Sequence, residues 1–447
     1  MSGTRTLQNA ITEVVRDWDT VPLKAVSEVY PSNIDKKSSD DEISVRLCNY
    51  TDVYYNKEIT DDIEFMEATT TEAKANRFRL CEGDILITKD SESKDDIGIP
   101  AYVTTDFDDV VCGYHLFLIR PDKSSLSPRF LFNCLRSRLL RTQFENLANG
   151  VTRYGITTGD AKNVRIPHPY ERIQDRTVDF LSDGEASLNR AINGFEGISE
   201  LLHNKRKATI RQSVTTGIGN NPTLTDIESS WIDRVPKHWD VVRTRFVADL
   251  HSGHTPSKSN DEYWKDADIP WVSLADSDRI RHNDYISETE KYTNEKGLAN
   301  SSAHILPKGT VVFTRDATVG LCSIIDQPMA VSQHIVGWVC GSKILPEYLL
   351  NVLKSMDQEY DRLTRGSTIS TIGMHDIEGF NTPLPPINEQ REIVDQIETE
   401  TEQMWELTDQ IEETIELLKE KRQALITAAV TGQIDMSEEK GVIQGDD

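Results

Sequence analysis

The side chains that could do chemistry in this 447-residue chain are ten histidines, six cysteines and a large excess of acids, 74 Asp and Glu against 49 Lys and Arg. Their spacing assembles no reaction centre. His251 and His254 stand three apart, but no Cys, Glu or third His lies beside them, so a polar loop is a better reading than a metal site. The cysteines at 48, 81, 112, 134, 322 and 340 form no C-x-x-C pair and suit reduced, half-buried thiols. Phosphate-cradling G-x-x-x-x-G-K-[ST], nucleophile-elbow G-x-S-x-G, zinc-binding H-E-x-x-H and a strand-to-helix G-x-G-x-x-G are all missing. Asn221-Pro222-Thr223 lacks the second proline and the aromatic of the N/D-P-P-Y/F motif of amino-methyltransferases. In a chain this acidic, paired acids read as solvated surface. The balance points to a non-enzyme.

What recurs instead is a scaffold. Glu200-Leu201-Leu202, Lys205-Arg206, Ala208 and Ile210 reappear as Glu416-Leu417-Leu418, Lys421-Arg422, Ala424 and Ile426, a constant 216 residues later. The same offset pairs Asp160 with Asp376, Pro167 with Pro383, Gln174 with Gln390 and Val214-Thr215 with Val430-Thr431. A fixed offset over so long a stretch marks a tandem duplication. In the second copy, apolar or small residues at Val394, Ile397, Thr401, Met404, Thr408, Ile411, Ile415, Leu418 and Leu425 step by threes and fours, the spacing of a helical seam. Asn388 can cap that helix, and about 44 residues at 1.5 Å each give a rod of roughly 65 Å. The first copy repeats the seam at Val178, Leu181, Leu188, Ile192 and Leu202 but carries Gly184, Gly194 and Gly197, each costing about 1 kcal/mol in a helix interior. A kink, or support from the second rod, is therefore expected.

Two larger blocks lie between the rods. Trp18-Asp19-x-Val21 resembles Trp239-Asp240-x-Val242, and Leu80 to Asp90 parallels Leu306 to Asp316. In the latter pair a Gly turn and a β-rich run lead to Thr88-Lys89-Asp90 or Thr314-Arg315-Asp316. A strand-like run follows (Val110 to Arg120; Ala330 to Val339), then a helical stretch (Pro128 to Leu147; Pro346 to Leu363), then a Gly-led polar loop at Gly150 or Gly366. Between these anchors the blocks diverge. The expected class is α+β: two mixed domains separated by two long helices packed as an antiparallel coiled coil, in a pseudo-twofold tandem repeat.

Length and composition set the outer bounds. The chain is long enough for two domains, 37% hydrophobic and 28% charged, with no apolar run of about 18 residues and no apolar leader in its first twenty residues. A cytoplasmic protein without membrane contact is expected. The net charge of −25 argues against nucleic acid unless the acid sits away from a basic patch or reflects a salt-adapted source. A coiled-coil scaffold that never touches DNA is the alternative this charge favours.

The order of these parts resembles the specificity subunit of type I restriction-modification systems. The resemblance rests on Thr382-Pro-Leu-Pro-Pro386-Ile-Asn-Glu-Gln390-Arg, on Lys421-Arg422-Gln-Ala424-Leu-Ile426-x-x-Ala-Val430-Thr-Gly432 and on Val235-Pro-x-x-Trp239, and it spans essentially the whole chain. It implies a first target recognition domain over 1–168, a spacer helix over 169–218, a second recognition domain over 219–385, a second spacer helix over 386–436 and an acidic tail over 437–447. It further implies a split double-stranded DNA target, docking of two modification subunits that carry S-adenosylmethionine, restriction subunits joining through them, and no catalysis or cofactor in this chain. In such domains loop cations and amides flanking short strands read base edges. The candidates are Lys89, Arg153 and Tyr154 in the first block, and Arg315, Gln333, His334, Ser367 and Thr368 in the second. Arg129, Arg136, Arg138 and Arg141 form a basic helical stretch suited to phosphate or a partner. The helix-pair and partner interface is expected along the two seams.

Overall fold

The computed structural model describes residues 15, 18–37, 39–219, 222–365 and 370–436. Ser367, Thr368 and the acidic tail lie outside them. By contact the chain divides into two compact units, one ending at Phe195 and resuming at Glu413, the other running from Glu196 to Glu412.

The first unit is built on five strands: β1 (Ser27–Pro31), β2 (Glu58–Ile59), β3 (Ile85–Thr88), β4 (Pro100–Val103) and β5 (Leu116–Pro121). They lie in the order β1-β5-β3-β4-β2, with β2 parallel to β4 and the other pairs antiparallel. Helix α1 (Pro128–Arg136) covers the sheet, and the first long helix, α2 (Glu171–Thr216), follows. The second unit repeats the plan with β6 (Ala248–Ser252), β7 (Tyr285–Ile286), β8 (Val311–Thr314), β9 (Cys322–Ile325) and β10 (Ile335–Cys340), in the order β6-β10-β8-β9-β7. Helix α3 (Pro346–Lys354) follows, then the second long helix, α4 (Ile387–Val430), whose residues from Glu413 onward belong to the first unit, as those of α2 from Glu196 onward belong to the second. The central β3 (Ile-Leu-Ile-Thr) and β8 (Val-Val-Phe-Thr) are buried at every position, as continuous apolar, β-branched-rich runs in a covered sheet should be.

The α+β class therefore holds, with three local corrections. Each expected strand run is two strands in different sheets, Val110–Cys112 then β5, and Met329–Val331 then β10. The breaks fall at Gly113-Tyr114-His115 and Ser332-Gln333-His334. Each expected helical stretch is two helices, broken at Ser137 and at Ser355-Met356. Helix α4 begins one residue before Asn388, which sits inside the first turn and accepts from Arg391 Nη1 at 3.0 Å rather than capping. The units differ in their additions: a three-stranded sheet through Ile43–Cys48 in the first, a four-stranded one through Ile269–Val272 in the second.

Each long helix is anchored by one buried glutamine. Gln174 Nε2 donates to Pro169 O (2.9 Å) and Ser125 O (3.4 Å), and its Oε1 accepts from Ser127 N–H (2.7 Å). Gln390 does the same with Pro385 O (2.9 Å), Lys343 O (2.9 Å) and Leu345 N–H (2.9 Å). Both are almost wholly buried, at 1% and 0% exposure. A buried amide is tolerable because its donors and acceptor are satisfied. The clamp ties the start of each long helix to the loop before α1 or α3.

Helix α2 is continuous through all three glycines. In each unit a stretch near one end of α2 packs with the opposite end of α4. In the first, Arg422 Nη1 donates to Asn189 Oδ1 (2.8 Å), and a Cβ on Gly184 would lie 2.9 Å from Leu425 Cδ2. In the second, Arg206 stacks on Trp405 at 4.0 Å, and Ile210 and Val214 share a core with Ile393, Val394 and Ile397. The two helices thus run antiparallel within each unit, as expected. Gly184 allows close approach, whereas Gly194 and Gly197 face open space. Among the seam residues, Leu181, Ile192, Val394, Ile397 and Ile411 are buried, and Val178, Leu188, Leu202, Met404, Leu418 and Leu425 half-buried. Leu201 and Leu417, one position away, stay exposed at 69% and 59%. Among the described residues no helix is long and apolar enough to cross a membrane.

Candidate nucleic-acid interface

At the end of each central strand the two units build the same loop frame. Thr88 and Thr314 close β3 and β8 and are fully buried. Thr88 Oγ1 donates to Asp96 O (2.5 Å) and accepts from Ile99 N–H (2.9 Å), while Thr314 Oγ1 donates to Thr318 O (2.5 Å) and accepts from Leu321 N–H (3.0 Å). The loop returns through Gly98 or Gly320, whose N–H donates to the threonine carbonyl at 2.9 or 3.0 Å. Both glycines have positive φ, +78° and +94°, and a Cβ would lie 2.6 Å from Phe144 or 2.8 Å from Tyr360, so no other residue fits unchanged.

The next residue is the cation. Lys89 N–H donates to His115 O (2.9 Å) and Arg315 N–H to His334 O (3.0 Å). Then comes the aspartate. Asp90 Oδ1 lies 2.7 Å from His115 Nδ1, and Asp316 Oδ2 lies 2.7 Å from His334 Nδ1. The two His–Asp pairs stand at corresponding places, each histidine immediately before β5 or β10.

The sequence candidates fall around this frame. Lys89 Nζ donates to Tyr114 O (2.7 Å) and sits over the Tyr114 ring at 4.5 Å; burial lowers its pKa below the usual lysine value. Arg153 Nη2 lies 2.6 Å from Asp90 Oδ1 and 3.1 Å from His115 Nδ1, with 55% of its side chain exposed. Tyr154 belongs to the short strand Tyr154–Gly155, which pairs with Asp90–Ser91, and Lys94 stacks on its ring at 5.2 Å. In the second unit Arg315 Nε donates to Ile372 O (3.1 Å), and the Gln333 amide lies between the Thr255 hydroxyl and His334 Nε2. The structure thus brings Lys89, Arg153 and Tyr154 to one loop cluster and Arg315, Gln333 and His334 to the corresponding one. The sequence reading missed His115 and Tyr114. Aligning the blocks on the histidine before β5 and β10 would have found them.

His251, expected in a polar loop with His254, lies instead in β6, where its Nδ1 meets His304 Nε2 at 3.2 Å. The basic helical stretch is mostly committed internally. Arg129 pairs with Glu58 (2.5 Å), Arg136 forms a two-pronged bond to Glu185 (2.9 and 2.8 Å), and Arg141 donates to Asp95 O (2.5 Å). Arg129 and Arg136 line a groove of about 950 Å³ against α2, together with Lys57, Glu58 and Glu185. The corresponding groove in the second unit, about 640 Å³, carries Asp284, Glu347, Asp395, Glu398, Glu402 and Glu406 against Arg206. Burial and the neighbouring Asp395, Asp284, Glu347 and Glu402 raise the Glu398 pKa above the usual glutamate value. This groove repels phosphate, so the loop frame is the better nucleic-acid surface of that unit.

Comparison with known proteins agrees with this duplicated architecture. The family model described as type I restriction modification DNA specificity domain matches twice, over residues 15–194 and 236–417. The chain belongs to that family, and it is a type I restriction-modification specificity subunit with two recognition domains. It is 23% identical over 433 residues to the putative type I restriction enzyme MjaX specificity subunit of Methanocaldococcus jannaschii, covering 95% of both chains. It is 24% identical over 413 residues to the HindI specificity subunit of Haemophilus influenzae, covering 79% of this chain and 86% of that one. A solved chain from work on complex assembly and conformational transition of the type I R-M system shares the fold, with TM-score 0.63, 19% identity and coverage of 94% of this chain and 99% of that one.

Proposed function

We propose that each recognition domain reads one half of a split double-stranded DNA target through its His–Asp-framed loop cluster, and that the duplicated helices dock two modification subunits. The observation that carries this reading is the recurrence of one strand order and one loop frame in both units, while the added sheets and exposed loop residues differ. A shared frame with unlike exposed side chains suits two unlike half-sites. Phosphate contacts position a reader and base-edge contacts specify, so the few exposed donors at each frame are where specificity resides. The chain performs no catalysis in this account. Methyl transfer, with S-adenosylmethionine, belongs to the modification subunits, to which restriction subunits add, and the assembly works on DNA in the cytoplasm. The bounds of the parts are those expected above: recognition domains over 1–168 and 219–385, spacer helices over 169–218 and 386–436.

The scaffold reading draws on the −25 net charge. Gel shifts with random-sequence duplex, with and without modification subunits and across salt, separate the two. Binding that weakens steeply between about 50 and 200 mM salt supports DNA recognition. No binding in any combination at low salt rejects it.

A further inference from the structure

We propose that Arg153 and Gln333 are the base readers of the two domains, Arg153 for a guanine in one half of the target and Gln333 for an adenine in the other. The assignment rests on the DNA-reading function proposed above.

The two frames are alike, so what hangs on them is what differs. In the first unit Lys89 spends its ammonium on the Tyr114 carbonyl and ring. In the second, Arg315 spends Nε on Ile372 O. Both cations are half-buried and tie loops together, so they present less of themselves to a ligand than an exposed side chain does. Arg153 is placed differently: 55% of its side chain is exposed, and its contacts to Asp90 and His115 both use Nη2. Asp90 accepts the His115 Nδ1–H, so His115 Nδ1 accepts nothing from Arg153 and only one Nη2 hydrogen is spent, on Asp90. The other Nη2–H and the N–H beside it form a two-donor edge free to meet the O6 and N7 acceptors of guanine.

Gln333 is exposed and held at both ends of its amide. The Asp316 carboxylate requires a proton on His334 Nδ1, which leaves Nε2 of the neutral ring as an acceptor for the Gln333 Nε2–H 3.0 Å away. The Thr255 hydroxyl donates to Gln333 Oε1. The aspartate–histidine pair thereby sets which end of the amide is nitrogen. One N–H and one lone pair stay unspent, the donor–acceptor set that matches N7 and N6–H of adenine. Holding each reader in place before contact reduces the entropy lost on binding.

The experiment is selection of bound duplexes from a random library by the full chain with its modification subunits. It is run on the unaltered chain, on Arg153→Gln and on Gln333→Ala. Arg153→Gln is expected to relax one guanine position in one half only, and Gln333→Ala one adenine position in the other half only, each by roughly five- to a hundredfold. Weaker binding with unchanged base preference overturns the assignment, because it marks phosphate contacts. Should either variant bind no duplex, the unaltered chain decides. Replacing the read guanine by 7-deazaguanine, or the read adenine by 7-deazaadenine, is then expected to weaken binding by at least fivefold or so. Full binding with every guanine or adenine replaced one at a time overturns it. If the unaltered chain selects no sequence at all, the DNA-reading function falls. A selected split sequence indifferent to both residues removes only the readers.

Discussion

At the scale of single residues, the buried polar groups decide most. Gln174 and Gln390 stand out in sequence as matched positions, but nothing in their spacing tells that each closes three hydrogen bonds inside the protein, because two of the three partners lie more than forty residues away. Removing such an amide leaves a buried N–H and two carbonyls unsatisfied, at about 1–3 kcal/mol each. Gln390→Ala is expected to lower unfolding free energy by at least about 2 kcal/mol in urea titrations, whereas exposed Gln403→Ala stays within about 0.5 kcal/mol. Glu398 makes the opposite case. Although exposed, it is partly desolvated and surrounded by carboxylates, which raise its folded pKa, so its ionised form weakly opposes folding. Ionisation is penalised at neutral pH, and the penalty vanishes once the side chain is protonated in both states. Glu398→Gln should therefore melt higher than the unaltered chain at pH 7 and the difference should close below about pH 4. An advantage that grows on acidification would show that another group governs the groove.

The long helices are the elements most legible in sequence, because a seam stepping by threes and fours is a local pattern that no distant contact has to supply. Every seam position named from the spacing is buried or half-buried. The sheets were less legible. Their order places β2 and β7 at an edge through parallel pairing with β4 and β9, a long-range match between short segments that have diverged between the copies. The split strand runs were hidden for a related reason: the turns at 113–115 and 332–334 carry one glycine and no proline between apolar stretches. The glycines of α2 give the element its test. Gly194→Ala and Gly197→Ala meet open space and should each stabilise by about 0.5–1 kcal/mol. Gly184→Ala should gain less than either, since Leu425 must give way. Equal gains at all three positions in thermal melts would contradict the close approach of α2 and α4 there.

For the whole molecule, the question posed by the −25 charge is where the acid lies. Helix α4 holds twelve Asp and Glu against four Lys and Arg, a net of −8, while α2 holds seven of each. Eight of the 25 excess negative charges are thus on one helix, while others, such as Asp90, Glu92, Asp95 and Asp96, lie in the first loop frame itself. Composition could not reveal this, because a net charge carries no positions. Duplication could be read directly, and with it the division into a repeated scaffold and divergent blocks. The readers within those blocks could be named only by type. The most direct test of two domains reading separate halves is the sequence selected from a random duplex library by the unaltered chain with its modification subunits. Two short fixed elements separated by a constant number of unspecified base pairs is the predicted result. A single contiguous element, or no enrichment at any salt, would contradict it.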